Sequence, residues 1–126
     1  MVTSIIDLYC KIFVNFQGDR LELFEKLKGF LKFNSAEMNS IITNSANIDI
    51  YRNEDFNPTT HGDFLFFEYF LEVYPTEIGS LETQIEVISK LLLYFWELKI
   101  YAVAACDFED KLPQNGGYKD QKIYDP

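Results

Sequence analysis

The amino-acid sequence predicts an α+β fold of the ferredoxin-like type, with elements in the order β-α-β-β-α-β, a four-stranded antiparallel sheet and both helices on one face. Three observations lead to this prediction. An alternating apolar pattern marks a first strand, two segments with helical apolar spacing mark two helices, and an aromatic-rich stretch from Phe64 to Tyr74 marks a long strand. Residues 1–118 are expected to form this single domain, and residues 119–126 a C-terminal tail.

The first strand and the first helix follow from simple periodicity. Between residues 5 and 16, apolar side chains occupy every even position, as in a strand with one buried face. Gln17-Gly18 ends this strand, and Asp19 is a natural N-cap for the next element. A helix is predicted from Arg20 to Leu31. Its apolar residues recur at helical spacing: Leu23, Phe24, Leu27, Phe30 and Leu31.

The middle of the chain is less regular. Residues 34–47 are polar and rich in Asn and Ser. Apolar residues at even positions suggest a second strand, interrupted near Asn44: they are Ile42, Ala46, Ile48 and Ile50. Residues 52–63 have the composition of a long hairpin loop.

The stretch from Phe64 to Tyr74 is predicted to be the third strand, closed by Pro75. Its odd positions are apolar and are expected to face the core: Leu65, Phe67, Tyr69, Leu71 and Val73. Its even positions mix aromatics with carboxylates: Phe64, Phe66, Glu68, Phe70, Glu72 and Tyr74. Strands one and three are the central pair of the predicted sheet. Their second face, which includes Tyr9 and Phe13, is therefore expected to be open unless loops or a partner cover it.

The last elements are a helix and a short strand. Ser80 is positioned to cap a helix from Leu81 to Leu98, which has a broad apolar stripe. Tyr101 to Cys106 is predicted to be a fourth strand with small side chains. Beyond Cys106 the pattern ends in an acidic, glycine-containing segment.

Composition restricts the possible partners. The 126 residues include 48% hydrophobic and 17% aromatic residues, which favours a folded globule over disorder. The formal charge is -9 and the pI is near 4.5, so direct binding of nucleic acid is not expected and a basic protein would be attracted. The alternative is that the acidic residues only keep the protein soluble. An RNA-binding aromatic platform is also disfavoured, because acidic residues stand where that platform needs basic ones.

No secretory signal or membrane-spanning apolar run is recognised, and a cytoplasmic protein is expected. The two cysteines, Cys10 and Cys106, occupy apolar strand contexts and are expected to be buried hydrophobes rather than a disulfide or a metal pair. No nucleophile motif, metal-spacing motif or phosphate loop is present, so neither an enzyme nor a cofactor is expected.

Acidic residues nevertheless occur in clusters with aromatic neighbours. Glu54 and Asp55 precede Phe56, Glu68 and Glu72 flank Phe70, and Asp107, Glu109 and Asp110 surround Phe108. An aromatic anchor among charged residues is typical of a protein-binding hot spot opposite a basic partner.

The segment from Ala102 to Tyr118, with Asn53 to Phe56 and Phe64 to Glu72, resembles small immunity proteins of bacterial contact-dependent growth inhibition and related polymorphic toxin systems. The resemblance is densest from Ala102 to Tyr118. It implies a cytoplasmic inhibitor that binds one cognate toxin C-terminal domain, often a basic nuclease, and occludes its active site without contacting nucleic acid or membrane. The protein is expected to be a monomer or a weak homodimer. The candidate contact residues are Asp107, Glu109, Asp110, Glu54 and Asp55, followed by Glu68, Glu72 and Phe70.

Two other functions remain open. A regulatory ferredoxin-like homodimer could bind a small molecule at its Phe66 and Phe70 face. A metal-dependent enzyme could use Asp107, Glu109 or Asp110, with His61 as the single histidine.

Overall fold

The computed structural model describes residues 6–59 and 63–117 as an α+β fold with two helices and a six-stranded antiparallel open sheet. His61, Tyr118 and the predicted tail lie outside the described residues. The strands are β1 (Cys10–Asn15), β2 (Ser35–Glu37), β3 (Ser40–Ile42), β4 (Ala46–Arg52), β5 (Tyr69–Pro75) and β6 (Tyr101–Cys106). The helices are α1 (Arg20–Phe30) and α2 (Leu81–Glu97).

The sheet has the strand order β2-β3-β4-β5-β1-β6, so the predicted count of four strands is wrong. The two additional strands, β2 and β3, come from the Asn/Ser-rich segment. They are joined by Met38 and Asn39, which have φ of 54° and 69°. Two successive positive φ values are typical of a tight hairpin turn, usually formed by Asn-Gly. Methionine at the first position hides this turn from a reading of the sequence.

Both helices pack on one face of the sheet, where they enclose the main core. Alternating residues of β1, β4, β5 and β6 supply the sheet side of this core. The helix caps are as predicted: Asp19 accepts a hydrogen bond from the Glu22 amide at 2.8 Å, and Ser80 accepts one from the Thr83 amide at 3.2 Å. Local sequence signals therefore set the start of each helix.

The predicted third strand is wrong at its beginning. Phe64–Phe66 form a 3-10 turn, and only Tyr69–Pro75 pair as a strand. Asp63 accepts a hydrogen bond from the Leu65 amide, and the Asn53 side chain donates to the carbonyls of Leu65 and Phe67 at 2.9 and 2.8 Å. These bonds fold the segment over the second face of the sheet.

This turn covers part of the face that was expected to be open. Phe67 is buried there with Phe13 and Val103, and Phe64 packs against them. Leu65, which was expected in the core, is instead 51% exposed. The remaining part of the second face, over β3, β4, β5 and the start of β1, is not covered by this turn.

The segment after β6 closes the outer edge of the sheet. Phe108 is fully buried in the main core, and the Glu109 side chain accepts a hydrogen bond from the Cys106 amide at 3.0 Å. A side-chain carbon added to Gly116 would lie 2.7 Å from the Ala104 carbonyl oxygen, so only glycine fits there. The stretch in which the resemblance is densest is thus built into the fold.

Candidate functional site

The part of the second sheet face that the turn at Phe64–Phe66 leaves uncovered carries carboxylates between aromatic rings. The strand register places Asp49 of β4 opposite Glu72 of β5, and Tyr51 opposite Phe70. We call this surface the open face. It comprises Tyr9, Lys11, Asp49, Tyr51, Phe70, Glu72 and Tyr74.

Asp49 and Glu72 form the acidic centre of the open face. Both are half-buried. Asp49 accepts a hydrogen bond from the Ser40 hydroxyl at 2.7 Å, and Glu72 accepts one from the Tyr9 hydroxyl at 2.5 Å. These bonds hold the two carboxylates in place, and neither bond comes from a cationic group.

Lys11 lies directly opposite Glu72 in the β1–β5 register, but the two side chains do not form an ion pair. Its Nζ lies 4.1 Å from the Phe70 ring centroid and 5.0 Å from that of Phe13, which is a cation–π arrangement. The ion pairs formed within the described residues involve neither Asp49 nor Glu72. In the part of the chain that the structure describes, no ion pair closes the centre of the open face.

Aromatic rings border this centre on two sides. Tyr9 and Tyr74 have centroids 4.9 Å apart, and Tyr51 and Phe70 stack at 5.2 Å. Tyr51 is 41% exposed and Tyr74 is 40% exposed. Rings that are held by neighbours and still open to solvent are suited to contact a partner at little cost in side-chain entropy.

The tyrosine hydroxyls of the open face all have raised pKa values. Burial is the main cause at Tyr9, and the hydrogen bond to Glu72 adds to it. Burial also comes first at Tyr51 and Tyr74, followed by the negative charge of Asp49 at Tyr51 and of Glu72 at Tyr74. These hydroxyls therefore remain protonated donors near neutral pH.

The two acidic loops predicted as contacts lie at opposite ends of the sheet. Glu54 and Asp55 are exposed and follow β4, at the end where β5 begins. Asp107 and Asp110 are exposed and follow β6, near the beginning of β1. Strands of this length separate the two ends by about 20 Å. The open face lies between them, with Asp107 at its Tyr9 end.

Other predicted contact residues have roles within the fold. The prediction that Phe108 is a surface anchor is wrong, because this residue is fully buried. The Glu109 side chain is bound to the Cys106 amide. Glu68 pairs with Arg52 at 3.5 Å, and the Arg52 guanidinium lies 5.7 Å from the Phe56 ring. Of the second group of candidates, Glu72 and Phe70 are on the open face.

The sequence prediction of the site missed Asp49 and Tyr51. The alternation of Ile48, Asp49, Ile50 and Tyr51 was the available signal, since it places the second and fourth of these residues away from the core. Their contact with Glu72 and Phe70 depends on the β4–β5 register, which periodicity in one strand does not supply.

Comparisons with known proteins do not extend this description. No family model, no curated protein and no solved structure matches the chain. Within residues 6–59 and 63–117, no group of three or more His, Cys, Asp or Glu side chains could hold a metal ion. Neither helix of that part of the chain is long and apolar enough to cross a membrane.

Proposed function

We propose that this protein is a cytoplasmic immunity protein that neutralises a basic toxin domain by covering its active site with the open face. The observation that carries the proposal is the Asp49–Glu72 pair, in which two half-buried carboxylates face each other without an ionic partner in the described residues. A lysine or arginine of the toxin inserted between them would remove their repulsion.

The net charge of the protein and the exposed aromatic rings of the open face also favour a basic toxin domain as the partner. The formal charge of -9 favours rapid association with a basic protein. A nuclease domain must be basic where it binds nucleic acid, and carboxylates can occupy the positions that substrate phosphates would take. The exposed Tyr51 and Tyr74 rings would supply apolar contact around the charged centre. The proposed activity is binding and not catalysis, and it needs no cofactor.

The proposed inhibitor can be tested by co-expression with the C-terminal domain of a toxin encoded next to its gene. The toxin domain is induced in cells with and without this protein, and the two proteins are then copurified at low and high salt. Survival together with a salt-sensitive complex supports the proposal. Cell death in both cases and no complex would contradict it.

A charge-matched pair of variants identifies the surface in the same assay. Asp49→Asn/Glu72→Gln removes two negative charges from the open face, and Glu82→Gln/Glu97→Gln removes two from exposed positions of α2. We expect only the first double variant to lose protection. A stable dimer of the protein alone, closed through the open face, would instead favour the regulatory homodimer.

We also infer that the sheet is a ferredoxin-like core extended by one hairpin. Without β2 and β3, the remaining strands have the order β4-β5-β1-β6, with α1 after β1 and α2 after β5. This is the connectivity of a split β-α-β arrangement. The β2–β3 hairpin then adds width to the sheet beside β4, next to Asp49.

A further inference from the structure

The fold brings the two cysteines of the chain together. Cys10 of β1 and Cys106 of β6 are directly opposite each other in the antiparallel register, although 95 residues separate them in sequence. Both side chains belong to the helix-covered core, where Cys10 is fully buried and Cys106 is half-buried. Both are free thiols.

The local hydrogen bonds show which of the two kinds of antiparallel cross-strand pair Cys10 and Cys106 form. The Cys106 amide donates to the Glu109 side chain and so points away from β1. Cys10 and Cys106 are therefore a non-hydrogen-bonded pair, whose Cα atoms are typically about 4.5 Å apart and whose side chains are close. Disulfides span Cα separations of roughly 4.4–6.8 Å, so the backbone can accept this bond without a large movement.

The two thiols differ in exposure and in the direction in which their pKa values are shifted. A hydrogen bond from the Cys10 thiol, and another from the Phe108 amide, lower the pKa of Cys106. The same thiol–thiol contact and burial raise the pKa of Cys10. Cys10 is fully buried and Cys106 is half-exposed, so a small disulfide reaches Cys106 first. The lowered pKa also favours its thiolate, which is the nucleophile in disulfide exchange.

We propose that Cys10 and Cys106 are a disulfide-forming pair that is oxidised by a low-molecular-weight disulfide, with Cys106 as the attacking thiol and Cys10 as the resolving thiol. Cys106 sulfur attacks the small disulfide, whose S–S bond breaks and releases one small thiolate. Cys10 sulfur then attacks the mixed disulfide and releases the second small thiol. The protons of the two cysteine thiols pass to the released thiolates, so the protein loses two electrons and two protons and the small disulfide gains them.

The bond would fasten the edge strand β6 to the central strand β1. It would close a loop from residue 10 to residue 106, and a bond across so long a loop restricts the unfolded chain strongly. It would also hold the beginning of the Asp107–Asp110 turn, which follows Cys106 directly. This proposal depends on the register of β1 and β6 and not on the proposed immunity function.

The test is to incubate the folded protein with oxidised glutathione and to analyse it without reduction. We expect an intact mass lower by two hydrogens, no retained glutathione, and one linked pair of peptides containing Cys10 and Cys106. The melting temperature should rise by roughly 10 °C and return after treatment with dithiothreitol. A wild-type protein that stays reduced, retains glutathione or forms linked dimers would overturn the proposal.

Two single variants test the order of the steps. Cys10→Ala removes the resolving thiol, and Cys106 should then retain glutathione as a stable mixed disulfide. Cys106→Ser should leave Cys10 unmodified while the protein is folded. Glutathione on Cys10 in the Cys106→Ser variant would contradict the assigned order. Since the wild-type protein alone shows whether the bond forms, a variant that fails to fold does not prevent the test.

Discussion

Asp49 of β4 and Glu72 of β5 are cross-strand neighbours on an open sheet face, and neither has an ionic partner within the described residues. Like charges directly opposite each other destabilise an antiparallel pair. The chain holds them there with hydrogen bonds from Ser40 and Tyr9. The free protein is therefore less stable at this position than it could be, and a basic partner would relieve the repulsion.

Replacing Asp49 with asparagine should stabilise the free protein. The substitution keeps an acceptor for the Ser40 hydroxyl and removes one of the two facing charges. We expect the free energy of unfolding to rise by about 0.5 kcal/mol at low ionic strength. The gain should shrink in high salt, which screens exposed charges.

Urea denaturation at two salt concentrations measures this effect. Glu54→Gln is the control, because Glu54 is exposed in the loop after β4, away from the ends of both helices, where a charge would interact with the helix dipole. A decrease in stability for Asp49→Asn, or a gain that does not depend on salt, would contradict the repulsion.

Replacing Tyr9 with phenylalanine should destabilise the protein by about 1 kcal/mol at pH 7, because the hydrogen bond to Glu72 is lost. The pKa of Tyr9 in the folded protein is above its ordinary value of about 10, through burial and then through Glu72. The stabilisation from the protonated hydroxyl is therefore complete below pH 10 and decreases as the pH rises above it.

Unfolding measured from pH 7 to pH 11 tests this dependence. The difference between the wild type and Tyr9→Phe should be constant up to about pH 10 and then become smaller. If the stability difference between the two proteins instead grows at alkaline pH, the pKa of Tyr9 is not raised in the folded protein.

Replacing Asn53 with alanine should release the turn at residues 64–66 from the sheet. The Asn53 amide donates to two carbonyls, of Leu65 and Phe67, and both would lose this donor. We expect a loss of about 2–3 kcal/mol. The amides of Phe66 and Phe67 should also exchange hydrogen faster, since they are bonded within this turn.

Asn34→Ala is a suitable control, because it removes one exposed side-chain bond, to Asn44. We expect it to change the free energy of unfolding by less than about 0.5 kcal/mol. Equal effects of the two variants would mean that Asn53 does not hold the turn.

Some parts of the fold could be predicted from the sequence because their signals are local. The caps Asp19 and Ser80 and the alternation in β1 lie within a few residues of the elements that they define. The beginning of β5 could not be predicted in this way. The aromatic run has high strand propensity, but Asn53 bonds to it from 12 and 14 positions away in sequence and favours a turn over the sheet face.

The candidate site was less predictable than the fold for the same reason. The sequence indicates that Glu72 and Phe70 leave the core, but their neighbours Asp49 and Tyr51 belong to another strand. Phe108 shows the opposite error. Its carboxylate neighbours suggested an exposed anchor, whereas the turn around Glu109 directs the ring into the core.

The substitution Phe108→Leu tests whether Phe108 contributes to binding of the toxin domain or only to the core. Because Phe108 is fully buried, we expect a loss of about 1 kcal/mol of stability and an unchanged affinity for the toxin domain. Tyr51→Leu, at a 41% exposed position of the open face, should weaken the complex and leave stability nearly unchanged. Calorimetric titration of both variants measures the contrast. A loss of binding free energy of about 2 kcal/mol or more for Phe108→Leu would show that Phe108 is a binding hot spot and would contradict its assignment to the core alone.

The most direct test of the open face is the affinity for the toxin domain as a function of salt. The proteins compared are the wild type, Asp49→Asn/Glu72→Gln and the charge-matched Glu82→Gln/Glu97→Gln. We expect the open-face variant to bind roughly 100-fold more weakly, with a reduced salt dependence, and the helix variant to bind within about threefold of the wild type. Equal losses for the two variants, or a complex that is sensitive only to Asp107 and Asp110, would contradict the open face as the binding surface.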